Sequence, residues 1–412
     1  MMHRLAPIAL LCLLILASGC ARVAPRANDA RPLILVSIDG FRADYLERNE
    51  TPTLAALARD GVRAEALKPS FPTLTFPNHY TLVTGLRPDH HGIINNRMTD
   101  PAMGKAFVYK EASTIEDPQW WGGEPIWVSA EKHGIRSATM FWPGSSVAID
   151  GVRPTWWKPF DTTYAPDRRV DAVLAWLDLP AARRPRLVTL YLEQVDQAGH
   201  TYGPDSPEVD AALQATDAAL ARLVAGLRQR RLLDAVDLVI VSDHGMAAAD
   251  PARRTFLDDL VSLDDIDVAN YGILAGIAPH RGRTAEVEAA LLRPHPHMRC
   301  WRREETPTRL HYGTNPRIPP LLCLADHGGV VSWRNYERNG GHYSPGEHGY
   351  DNDDPSMRAL FIAHGPAFRR GLVVPEFDNV DVYPLLAHLL GIPPEPNDGK
   401  FPVVAPMLRG GG

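Results

Sequence analysis

Three aspartates stand at or just beyond the ends of apolar runs, and no other feature limits the fold of this chain so strongly. Residues 33–38 (LILVSI) run directly into Asp39. Residues 187–192 (LVTLYL) precede Asp196 by a short turn, and residues 236–241 (VDLVIV) lead through Ser242 to Asp243. Short apolar runs bounded by polar residues read as strands buried on both faces. Such strands form parallel sheets, and ligands bind beyond their carboxyl ends. Three carboxylates delivered to one sheet edge repel one another unless cations lie between them.

The intervals carry helical signals. Thr51-Pro52 opens a helix that Gly61 stops, with proline at the first position and glycine after the end. Pro77 opens another that runs to about Thr84, with Gly85 as terminator. Residues 124–133, 167–178, 207–230 and 380–390 have apolar residues at helical spacing, and 62–67, 136–141 and 358–363 read as further strands. The alternation predicts an α/β fold with a mostly parallel central sheet flanked by helices. Between about 255 and 345 the pattern loosens, and Pro, Arg and His become more frequent. That stretch is expected to be an inserted smaller subdomain in a single domain spanning 32–407. Residues 21–31 read as a linker and 408–412 as a flexible tail.

The first 20 residues read as a targeting segment that is not part of the fold. Met1 to Arg4 is a short basic region, and Leu5 to Ala17 is apolar but too short to span a bilayer. Ala17-Ser18-Gly19-Cys20 resembles a bacterial lipobox, so Cys20 is the expected lipidation site, with ordinary cleavage nearby as the alternative. Both place the mature chain outside the cytoplasm, released to the periplasm or anchored to the envelope. Cys300 and Cys323 are then the only cysteines of the mature chain. In an oxidising compartment they suggest one disulfide, against two buried thiols. With a net charge of −6 over 412 residues, the chain lacks a basic field for duplex nucleic acid.

Histidines accompany the acids. Asp196 is followed by His200, Asp243 by His244, and a third histidine, His348, lies in Gly346-Glu347-His348-Gly349. Mixed Asp and His ligands suit zinc, and six such side chains suffice for two ions with open positions. Thr75, in Pro72-Thr73-Leu74-Thr75-Phe76-Pro77, precedes a helix whose N-terminus favours an incoming phosphate. Metal coordination would make its hydroxyl a nucleophile; a plain helix cap is the competing role.

These segments, with Val36 to Arg42, Pro72 to Asn96, Gly122 to Trp127 and Ser137 to Ser145, resemble the nucleotide pyrophosphatase/phosphodiesterase family of the alkaline phosphatase superfamily, its bacterial members closely. The stretch Thr73 to Gly85 carries the likeness most specifically. The resemblance implies an alkaline-phosphatase-like core and two zinc ions. One would be held by Asp196, His200 and His348, and the other by Asp39, Asp243 and His244, with Thr75 as a further ligand. It also implies that Thr75 attacks phosphorus and forms a phosphothreonine ester, which activated water then hydrolyses. Asn96 would donate to a phosphate oxygen, and Asn95 is its immediate neighbour.

Phe76 would form one wall of a nucleotide-base slot. Phe160, in Lys158-Pro159-Phe160-Asp161, would form the other, where many relatives have tyrosine; Tyr164 is a rival and core packing the plain alternative. The expected substrate is a small nucleotide diester or pyrophosphate, cleaved to nucleoside 5′-monophosphate by a monomer that meets a membrane only through its lipid anchor. The alternatives are a phospholipid or choline-phosphodiester hydrolase on the same scaffold, and a non-catalytic surface binding protein. The intact ligand and nucleophile set disfavours the latter.

Overall fold

The computed structural model describes residues 31–334 and 344–410. The signal segment with Cys20, residues 21–30 of the linker and Gly411-Gly412 lie outside the described residues. Among the described residues the central sheet has eight strands: β1 (Leu33–Ile38), β2 (Val62–Ala64), β3 (Ser137–Met140), β4 (Trp156–Trp157), β5 (Leu187–Leu192), β6 (Asp237–Val241), β7 (Phe361–His364) and β8 (Leu372–Val374). Their order across the sheet is β8-β2-β7-β6-β1-β5-β3-β4. Only β7 runs against its neighbours.

Each of the three central strands is buried along its whole length, which is why none shows a polar alternation. Side chains of β1 alternate between two cores. Ile34, Val36 and Ile38 face the helices Pro52–Asp60, Pro166–Leu177 and Pro207–Gln229. Leu33 and Leu35 share the other core with residues of the helices Thr75–Thr84, Ile126–Lys132 and Val382–Leu390.

The helix ends follow local chemistry. Ser206 caps the longest of these helices by accepting from the Val209 N–H, and Pro207 occupies its first turn, a position where no ladder donor is lost. Gly85 closes Thr75–Thr84 in a left-handed conformation at φ 66°. A Cβ there would come within 2.9 Å of Tyr383 and Asn397 side chains.

Two expectations need adjusting. The helix expected to open at Pro77 begins at Thr75; proline is tolerated in a first turn because its missing N–H is one the helix does not use. The strand expected over 62–67 stops at Ala64, and Leu67–Lys68 pairs separately with Phe377–Asp378.

Between β6 and β7 lies a four-stranded antiparallel sheet of Ile266–Asn270, Leu274–Pro279, Leu321–Ala325 and Met298–Arg302, in that spatial order. Cys300 and Cys323 face each other across the last pair and are joined by a disulfide, with Cα atoms 4.0 Å apart. No described helix is long and apolar enough to cross a membrane.

Candidate metal and phosphoester site

The register of the central strands assembles the acids. Ser37 lies level with Tyr191 on β5 and with Val241 on β6, so the chain leaves all three strands at one edge. Asp39 follows β1, Asp243 follows β6, and Asp196 sits in the first turn of the helix Gln194–Tyr202 after β5. Gly40, at φ 68°, lets the first loop pass against that turn; a Cβ on it would lie 2.9 Å from Asp196 Cα. His200 is one helical turn beyond Asp196. His348 arrives by a different route. Ala247–Ala248 pairs with Gly346–Glu347, and this short ribbon stacks the His348 ring on His244 at 3.5 Å.

The imidazoles are oriented by the backbone. Nδ1 lies 2.8 Å from the Gly346 carbonyl in His200, 2.9 Å from the Gly245 carbonyl in His244, and 2.9 Å from the Thr73 carbonyl in His348. Each Nδ1–H therefore donates outward, and each Nε2 presents a lone pair inward. His200 Nε2 is 3.1 Å from His348 Nε2, and Asp196 Oδ1 lies 3.5 and 3.6 Å from the two. His244 Nε2 is 2.9 Å from Asp243 Oδ2 and 3.4 Å from Asp39 Oδ1.

Acceptors thus face acceptors at hydrogen-bond distance. Asp39 Oδ1, Asp196 Oδ1 and Asp243 Oδ2 are all buried with no hydrogen-bond partner among the described residues. A divalent cation in each group would satisfy these atoms together, so the donor set fits metal. Two groups have ligand atoms within 4.8 Å of one another: Asp39 with Asp243 and His244, and Asp196 with His244 and His348. His200 stands beside the second.

The electrostatics favour a positive charge there: burial lowers His244 and His200, but Asp243 and Asp196 respectively outweigh it and raise both above the ordinary imidazole value. Burial, and then the charges of Asp243 and Asp196, push Asp39 well above the usual carboxylate range. Burial alone would raise Asp243 too, but His244 and His79 outweigh it and hold Asp243 well below that range. Burial, followed by His244 and His200, pushes His348 well below the ordinary imidazole value. Burial pushes Glu347 up to about 7, with His200 lowering and Asp196 raising it. Glu193 is not available as a ligand, because buried Arg169 engages both its oxygens.

Thr75 is the first residue of its helix, and its Oγ1 lies 3.3 Å from His244 Nε2. The free donors of this helix end are few. Asn96 Oδ1 accepts the Phe76 N–H at 3.0 Å, and Pro77 has none. The Thr75 N–H has no partner among the described residues. Binding through Oδ1 leaves the Asn96 amide nitrogen free to donate beside it. Asn95 is turned elsewhere, its Oδ1 accepting from the Arg97 N–H.

Phe76 packs edge-on against Phe107 and Tyr109. Phe160 is 55 % exposed. It touches Phe141 and Tyr191, so it lies one residue from the acid cluster. Tyr164 sits behind it against Phe141.

Sequence reasoning missed two residues. Tyr191 donates its hydroxyl to Asp39 Oδ2 at 2.5 Å, and His79 stands 3.2 Å from Asp243 Oδ2. Tyr191 sits inside an apolar run, where it reads as core. His79 lies one turn after Thr75, a spacing that could have flagged it.

Fold and site together define an α/β protein with candidate metal-binding groups and a helix-borne threonine at the carboxyl edge of its sheet. The sequence matches the type I phosphodiesterase/nucleotide pyrophosphatase family over residues 33–351, and the chain belongs to that family. It is 39 % identical over 389 residues to an uncharacterized pyrophosphatase/phosphodiesterase of Schizosaccharomyces pombe, covering 92 % of this chain and 80 % of that protein. It is 40 % identical over 403 residues to ectonucleotide pyrophosphatase/phosphodiesterase family member 3 of Bos taurus. That match covers 93 % of this chain but only 45 % of the bovine protein, so the chain spans about half the length of that relative. The solved structure of murine ectonucleotide pyrophosphatase/phosphodiesterase 5, an inactive threonine-to-alanine form in complex with AMP, superposes with a TM-score of 0.88 at 34 % identity. It covers 92 % of this chain and all of that one.

Proposed function

We propose that this protein is a two-zinc phosphodiesterase. In this reading it hydrolyses nucleotide phosphodiester and pyrophosphate bonds and releases nucleoside 5′-monophosphates through a phosphothreonine ester. One observation carries the reading: three imidazole Nε2 atoms and three carboxylate oxygens without a partner among the described residues converge beside the Thr75 hydroxyl. Asp196, His200 and His348 would hold one ion; Asp39, Asp243 and His244, with Thr75, would hold the other. Bound there, zinc would supply Lewis acidity that lowers the pKa of a hydroxyl or water and offsets charge on attacking and leaving oxygens.

Thr75 Oγ1 attacks phosphorus in line with the leaving oxygen. The bond to that oxygen breaks as the Oγ1–P ester forms. Water then cleaves the ester and regenerates the hydroxyl. The Thr75 N–H and the Asn96 amide donate to an equatorial phosphate oxygen as its charge grows. Among the described residues no arginine bonds to these groups to neutralise the extra charge of a monoester, which favours a diester. Phe76 and Phe160 offer aromatic faces to a base, and the AMP bound by the murine relative supports a nucleotide. The proposed unit is residues 32–407, with the insertion at about 255–345. Export, an anchor at Cys20 and action as a monomer belong to the same proposal.

The test is turnover by the zinc-loaded protein of three nitrophenyl esters: thymidine 5′-monophosphate, phosphorylcholine and phosphate. Preference for the thymidine ester supports the nucleotide reading. Preference for the choline ester moves the protein to lipid headgroups, and preference for plain phosphate removes the diesterase reading.

A further inference from the structure

His79 is outside the candidate ligand set yet touches three parts of the site. Its ring is completely buried. Nδ1 lies 2.9 Å from the Thr75 carbonyl and 3.2 Å from Asp243 Oδ2. Nε2 lies 2.8 Å from the hydroxyl of Ser37, two residues before Asp39. One tautomer fits all three contacts. The proton sits on Nδ1 and is directed at the Thr75 carbonyl with Asp243 beside it, while Nε2 accepts from Ser37. Trp142 and Tyr191 meet the ring edge-on at 78° and 82°, which fixes its plane. The Trp142 indole N–H also donates to the His79 carbonyl at 2.9 Å.

The ring therefore joins three segments that converge only through tertiary packing: strand β1, the loop after β6, and the helix turn bearing Thr75. We propose that His79 is a positioning residue, which sets the spacing between the Thr75 turn and the Asp243 carboxylate. This rests on the reading of Thr75 as nucleophile and Asp243 as metal ligand. A buried imidazole that only filled space would need its nitrogens satisfied anywhere. Here Nδ1 is satisfied by the nucleophile's own carbonyl, beside a proposed ligand oxygen that has no hydrogen-bond partner among the described residues. Small displacements between a nucleophile and its activating groups cost rate heavily, about 10²-fold for roughly 1 Å.

Two substitutions of similar polarity separate positioning from packing. His79→Asn places an amide nitrogen near the position of Nδ1, and His79→Gln places one near Nε2. For His79→Gln, kcat on the thymidine ester is expected to fall about 10- to 100-fold with KM little changed, and zinc retained on dialysis against a chelator to fall on a similar scale. His79→Asn should keep most of both, at an equal melting temperature. Equal kcat and equal zinc retention in the two variants overturn the proposal. Should either fail to fold, Ser37→Ala carries the test. It leaves the ring in place but removes the donor that holds its tautomer, so zinc retention and kcat should both drop; wild-type values overturn the proposal. Thr75→Ala, run in parallel, keeps the failures apart. Turnover by that variant removes the nucleophile reading, whereas zinc retention in the His79 variants reports on Asp243 whatever Thr75 does.

Discussion

The Tyr191 hydroxyl donates to Asp39 Oδ2 at 2.5 Å and so decides which oxygen of Asp39 is left for a cation. Oδ1, the other oxygen, is buried with no hydrogen-bond partner among the described residues and lies 3.4 Å from His244 Nε2. Partners one layer behind a ligand commonly matter nearly as much as the ligand. Tyr191→Phe keeps the ring and its packing on Phe160 and His79 but removes the donor. The variant should fold normally and bind zinc about 10- to 100-fold more weakly, measured by competition with a chromogenic chelator. Unchanged affinity would show that Asp39 needs no such orientation.

Thr75→Ala removes the hydroxyl and leaves every Asp and His in place. Turnover of the thymidine ester should vanish while zinc content per chain, by elemental analysis, stays close to wild type. Residual turnover above a few per cent would mean that another oxygen attacks phosphorus.

His348→Ala deletes one Nε2 from the cluster and exposes the face of His244 on which it stacks. Bound zinc should fall measurably, because the remaining side chains of that group are too few for a stable site. An unchanged metal count would contradict its role as a ligand.

Much of this candidate site could be read along the chain, for a reason visible in the residues proposed to hold metal. Asp39 and Asp243 follow apolar strands within two residues, and Asp196 and His200 lie one helical turn apart, so local patterns expose them. The adjacency of β6, β1 and β5 could not be read this way, because pairing over about 150 to 200 residues leaves no local mark. The same holds for the Phe76 N–H bonded to Asn96. Tyr191 and His79 escaped for another reason. Their roles depend on one polar atom of a side chain that otherwise packs as core, and hydrophobic periodicity is blind to that atom. The stacking of His348 on His244 depends on the ribbon at Gly346–Glu347, whose strands are two residues long and give no periodicity.

Acid sensitivity should have a contribution from His91. Burial lowers its pKa to about 3, despite the Pro77 carbonyl, which favours the charged form. Nδ1 accepts the Ile93 N–H at 3.1 Å, a bond the protonated ring cannot keep. In the unfolded chain the imidazole titrates near its ordinary value, about 6.5. Above that value both states are neutral and stability is full. As pH falls from about 6.5 toward 3, the unfolded state takes up a proton that the folded state refuses, so stability is lost by up to about 1.4 kcal/mol per pH unit from this group. His91→Gln should be less stable at neutral pH yet show a shallower acid slope in denaturant midpoints. An identical slope would assign the sensitivity to other groups.

Phe160 gives the sharpest test of substrate choice. Its ring is 55 % exposed, so removing it opens little cavity, and its main loss is contact with Phe141 and Tyr191. Stability of Phe160→Ala should therefore change by no more than about 1 kcal/mol. Stacking of a base on an aromatic ring is worth about 1–3 kcal/mol, or roughly 5- to 150-fold in affinity. A wall of the base slot should accordingly raise KM for the nitrophenyl thymidine ester within that range and leave a small methyl nitrophenyl phosphate nearly unaffected. Phe76→Ala should act in the same direction, but with a further loss of stability, because that ring packs on Phe107, Tyr109 and Trp121. If Phe160→Ala raised KM equally for both esters, the ring would be shaping the acid cluster through Tyr191 and not receiving a base.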